Sequence, residues 1–203
     1  MVEAIRLLAS QWRAAALGSG LMVFAAWIGW SAAADRSWVG VRVITWWVAR
    51  IVEPMLACRT WIGRCAMIFA NNVAVLAVMV ASGRFGATGI LAVALSGLAM
   101  GTALRVLTDR AAGLASTGVA APGDWRCRAG IALNLLEPPA IAAAIGLGIG
   151  RAPAGLGADE VYRAFLLVIV PVMWIAAGGE ALWIGAMNRD RRASTTPPTD
   201  RPP

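Results

Sequence analysis

Glu137 is followed by Pro138 and Pro139 and preceded, three residues earlier, by Asn134, and all four lie inside the apolar stretch AGIALNLLEPPAIAAAIGLGIG, from Ala129 to Gly150. About 20 residues at a rise of about 1.5 Å cross a hydrocarbon core of about 30 Å, so the stretch is long enough to span a bilayer. A lipid-facing anchor has no use for these residues. A carboxylate in hydrocarbon normally faces a protein interior or a water-filled cavity. The proline pair removes backbone donors and clashes with the preceding turn, which predicts a bend or break just after the acid. Three further apolar stretches carry unusual residues: Asn71-Asn72, Gly97-x-x-x-Gly101, and Pro171 with Gly178-Gly179-Glu180. Amides donate to carboxylates, so such a set can join helices, bind a cation or relay a proton. Two acids with no basic partner at their depth favour cations over anions.

Composition says which elements must position these residues. Of 203 residues 59% are hydrophobic and mean hydropathy is +0.69, against about 45–50% apolar usage in soluble domains. A polytopic, all-α transmembrane bundle follows. The 18 basic residues are all Arg and His is absent, which excludes a His base and imidazole metal sites. With no nucleophile–base pair, metal cluster or phosphate loop, the chain reads as non-enzymatic, without cofactor or metal. The net charge of +7 comes without a basic run interleaved with aromatics, so nucleic acid is not an expected partner. Cys58, Cys65 and Cys127 are odd in number, form no C-x-x-C pair and read as free thiols. Arg without Lys, beside abundant Ala and Gly, points to a GC-rich bacterial genome.

Along the chain, Ile5, Leu8 and Trp12 are helically spaced, and residues 1–16 read as an interfacial helix. The bundle occupies 17–187, with crossings near Leu17–Ala33, Cys65–Ala81, Ala87–Leu104, Ala129–Gly150 and Ala164–Met187. Residues 35–64 contain Arg42 and Arg50 among Trp38, Trp46 and Trp47, which suits an amphipathic helix in the interface. If they crossed instead, there would be six spans rather than five. Residues 188–203 are polar and rich in Pro and Thr, and read as a disordered tail.

Most arginines fall on the side that receives 35–64, 105–128 and the tail, so the positive-inside rule places the C-terminus in the cytoplasm and, with five spans, the N-terminus outside. Ala32-Ala33-Ala34 before Asp35 resembles a signal cleavage site. Cleavage there would export the Arg-rich 35–64 loop, against the same rule.

Counting from the Arg-rich ends at about 1.5 Å per residue puts Asn71 and Glu180 about 10 Å deep and Gly97 and Glu137 about 12 Å deep. The expectation is a single polar layer shared by four helices. Asn134 and Glu137 would share a helix face, one of Asn71 and Asn72 would enter the layer, and Gly97 and Gly101 would permit close backbone approach. Two readings of the layer follow: interhelical glue, or a site for a polar or cationic species.

The Asn71-Asn72 pair after Phe69, Ser96-Gly97-x-x-x-Gly101, Leu136-Glu137-Pro138-Pro139-Ala140 and PVMWIAAGGE ending at Glu180 together resemble, in order and spacing, the signatures of the stage II sporulation protein M family over about residues 65–187. The family's histidine falls near Leu133, its glycine near Asn134, and its Asn-Gly is Ser96-Gly97 here. The resemblance implies a scaffold or subunit of a peptidoglycan-remodelling envelope complex in the bacterial inner membrane. Its partners would be membrane lipid, other proteins of that complex such as a hydrolase or an ATPase subunit, and a second copy of the chain. The alternative is a permease-like, ion- or proton-coupled transport subunit related to exporter membrane domains.

Overall fold

The computed structural model describes residues 1–112 and 125–195, and no strand occurs among them. The helices are α1 (Val2–Ser10), α2 (Trp12–Ala32), α3 (Val39–Trp47), α4 (Glu53–Ala57), α5 (Trp61–Ser82), α6 (Ala87–Ala112), α7 (Trp125–Asn134), α8 (Glu137–Gly150), α9 (Ala158–Ala164) and α10 (Val170–Thr195). π-Helical turns join α3 to α4 and α9 to α10. Among the described residues, five stretches are long and apolar enough to cross a membrane: Trp12–Ala32, Trp61–Phe85, Ala87–Asp109, Ala132–Gly150 and Ala158–Ala186. The chain is a multi-pass membrane protein.

The segment 39–57 is not among those five. Ile44, Trp47, Val48, Val52 and Met55 turn inward at helical spacing, while Arg42 and Arg50 stay exposed. That is the amphipathic pattern expected of it. α1 likewise lies against the bundle, but through Ala4, Leu7 and Leu8, whereas Ile5 and Trp12 remain exposed. The two faces of so short a helix compete, and contact with α8 and α9 decides between them. α2 begins at Trp12 rather than Leu17, and α10 continues to Thr195, past the expected start of the tail; residues 196–203 lie outside the described residues.

Local chemistry sets the ends. Thr60 caps α5, its Oγ1 accepting the Gly63 N–H at 3.2 Å. Between α5 and α6, Gly86 adopts φ 62°, a left-handed conformation that a side chain disfavours.

Packing is by small residues, as suits helices whose lipid surroundings supply no hydrophobic drive. A Cβ on Gly97 would strike the Met22 carbonyl, and one on Gly101 the Ala26 carbonyl, so α6 lies backbone to backbone along α2. The buried core joins Leu76, Met79 and Val80 of α5 to Ile145 and Leu147 of α8 and to Ile169 and Met173 of the last crossing. A second cluster packs Val48 and Val52 on Cys65, Ile68, Ala177 and Ala181. Val23, Phe24 and Trp27 on α2, Leu91 and Leu95 on α6, and Leu166 and Trp174 on the last crossing face outward.

Candidate functional site

The α7–α8 break occurs before the acid, at Leu135-Leu136, and Glu137 is the first residue of α8. The expected break after Glu137 is thereby corrected. Proline is excluded from helix interiors because it lacks an N–H, but the N–H groups of a first turn have no partner to lose, so Pro138 and Pro139 start a helix here. Both are exposed and act by placing Glu137 at the helix start. Because the break intervenes, Asn134 and Glu137 sit on separate helices and do not share a face.

Glu137 is half-buried, and its Oε1 accepts from Asn72 Nδ2 at 3.1 Å; Asn72 Oδ1 in turn accepts from Asn71 Nδ2 at 3.2 Å. Adjacent helical residues point about 100° apart, yet both amides enter the site, because the second reaches it through the first. The three side chains line a cavity of about 460 Å³ bounded by α2, α3, α5, α6, α8 and α10. Trp46, Trp47 and Ser96 contribute to its wall, and among the described residues no basic side chain does.

The other expected members are arranged differently. Gly97 and Gly101 face α2, and Ser96, one position away, turns to the cavity instead. Asn134, at the end of α7, packs its backbone N–H against Gly179, and its Oδ1 is buried with no hydrogen-bond partner among the described residues. Glu180 is half-buried on α10, but it does not line the cavity. Along α5 it lies opposite the first turns rather than Asn71. There Trp61 Nε1 donates to Gly178 O at 3.3 Å and Arg64 Nη1 to Ala181 O at 3.0 Å, while Phe69 meets Trp174 edge-on at 4.9 Å. The single four-helix layer thus resolves into a cavity group, Asn71, Asn72 and Glu137, and a group behind it, Asn134 and Glu180.

Arg64 is the residue that sequence reasoning placed least well. Counted as a loop arginine, it is only 6% exposed, and its guanidinium bridges α5 to the Ala181 carbonyl and to the Cys58 carbonyl at 2.6 Å. Its place four residues inside a capped helix was the available signal. Trp46 and Trp47 read as interface anchors and turn out to wall the cavity as well. Cys58 and Cys65 are free thiols; the side chain of Cys127 lies outside the described residues.

Among the described residues no cluster of His, Cys, Asp or Glu could hold a metal ion. Compared with protein-family models, curated proteins and solved structures, the chain matches none.

Proposed function

We propose that this chain is a non-enzymatic subunit of a cell-envelope complex in the bacterial inner membrane, with its C-terminus in the cytoplasm, and that the Glu137 cavity is its functional element. One observation carries the reading: an intramembrane carboxylate, oriented by an amide from a neighbouring helix, opens on a cavity instead of being sealed in packing. The resemblance to stage II sporulation protein M supports the envelope setting, and the arginine distribution supports the orientation. A scaffold uses the cavity to seat an apolar or amphiphilic segment of its partner, with the Trp46 and Trp47 rings as wall and Glu137 as polar anchor.

A second reading, a cation- or proton-coupled transport subunit, is favoured by a carboxylate that opens on a cavity lined, among the described residues, by no basic side chain. Glu137→Gln and Glu180→Gln separate the two. A scaffold predicts loss of partner co-purification from detergent extracts with normal abundance for Glu137→Gln; transport predicts unchanged co-purification with loss of ion-dependent activity. If both variants assemble and function as wild type, the cavity has neither role. Co-purification of a peptidoglycan hydrolase with the wild-type chain supports scaffolding, and that of an ATPase supports transport.

A further inference from the structure

At the other end of the bundle, the 83–86 connection between α5 and α6 meets the 151–157 connection between α8 and α9. The latter folds back on itself: Leu156 N donates to Arg151 O at 3.0 Å and Gly155 N to Ala152 O at 3.2 Å. Gly155 takes φ 64°, the left-handed turn that closes the loop. The two connections border an open hollow of about 420 Å³ lined by Arg84, Arg151, Ala152, Gly155, Leu156 and Ala158.

Among the described residues, the two charged ones in that lining are both arginines. Arg151 is only 6% exposed; its carbon Cζ lies 5.6 Å from the Tyr162 ring centroid, and its Nη1 is buried without a hydrogen-bond partner. Arg84 is exposed beside Phe85. Neither arginine has an ion pair among the described residues. Asp159 and Glu160, on the first turn of α9, form no part of the wall, and Glu160 Oε2 accepts the Gly157 N–H at 3.2 Å. A buried guanidinium is satisfied by backbone carbonyls, as that of Arg64 is, or by a carboxylate or a phosphate, whose oxygens match its donors two at a time. Here no carboxylate is supplied by the described residues.

We propose that this cavity binds a phosphate-bearing anion between Arg84 and Arg151. Its position at the ends of four crossings is the depth of lipid headgroups, on the side opposite the C-terminus, where the phosphodiester of an anionic lipid offers a guanidinium paired oxygens; free phosphate has the same chemistry. The site is independent of the Glu137 cavity, and its test does not depend on that reading.

The full-length protein in neutral detergent is melted with added phosphatidylglycerol, with diacylglycerol, and with inorganic phosphate at ionic strength matched by chloride. A saturable rise in melting midpoint is expected with phosphatidylglycerol and not with diacylglycerol, its half-saturation concentration raised about tenfold in Arg84→Gln, the loss of one charge-assisted contact. Arg84 is exposed, so this variant folds even if Arg151→Gln does not. The same Arg84-sensitive rise with inorganic phosphate alone identifies a free phosphate as sufficient; its absence assigns the site to the lipid headgroup. No rise with either phosphate probe, or a rise that Arg84→Gln leaves unchanged, overturns the proposal.

Discussion

Asn72 on α5 donates a 3.1 Å hydrogen bond to Glu137 at the first position of α8, and this contact joins the second and fourth crossings at the edge of a cavity. Polar contacts between helices in membranes contribute about 0.6 kcal/mol on average and up to about 1.7 kcal/mol. Asn72→Ala is therefore expected to lower stability within that range, and a double-mutant cycle with Glu137→Gln to show coupling of similar size. Unfolding in mixed micelles measures both. Additive effects would mean that the two side chains do not act together.

Close approach of α6 to α2 predicts a contrast between glycines. Gly101→Ala places a methyl group against the Ala26 carbonyl and should destabilise by about 1–3 kcal/mol, the usual consequence of overpacking. Gly20→Ala on α2 meets nothing within 4 Å and should be neutral or stabilise by about 0.5–1 kcal/mol through helix propensity. Melting midpoints of the two variants in one detergent make the comparison, and equal effects would contradict the α2–α6 contact.

Arg64→Lys keeps the charge and loses the fork. One ammonium cannot reproduce the planar pair of bonds to Ala181 O and Cys58 O, so a loss of roughly 1–3 kcal/mol is expected from a buried carbonyl left unpaired. Arg59→Lys, at an exposed neighbouring position, serves as the comparison and should leave the unfolding midpoint unchanged.

In the turn after α2, the Ser37 hydroxyl at 2.7 Å and the Ser37 backbone N–H at 2.9 Å hold the Asp35 carboxyl below the usual carboxylate range. A depressed folded-state pKa means that the contribution is present above the unfolded value, about 3.9, and is lost as pH falls through the lower folded value. Acidification below about pH 4 should therefore lower the melting midpoint of the wild-type protein more than that of Asp35→Asn. Parallel acid limbs would remove the Asp35 turn from the pH response.

The crossings were legible because apolar length alone specifies a membrane helix; that Glu137 would need a donor followed from an acid in hydrocarbon, but which of Asn71 and Asn72 would supply it did not. The direction of the α8 break was not legible: a proline pair is equally a helix stop and a helix start, and the choice depends on which neighbours satisfy the freed backbone. Depth counting also failed for Glu180, since it assumes that all crossings begin at one level, whereas the bonds from Trp61 and Arg64 set α10 against the first turns of α5. Gly97 and Ser96 show the remaining limit. Spacing identifies the helix that carries a site but leaves its rotation to the partner helix, and α2 claims the glycine face.

The start of α8 has one further consequence, for the balance of protons at the break. The opening turn of an ordinary helix presents several unpaired N–H groups, but Pro138 and Pro139 delete two of them. The Leu136 N–H is already given to Leu133 O at 3.1 Å, while Asn134 Oδ1 and the Glu137 carboxyl group add oxygen on either side of it. The interruption is consequently rich in lone pairs and short of hydrogens. A substitution that restores a backbone N–H at position 138 or 139 therefore adds a donor at a place where the chain supplies mainly acceptors.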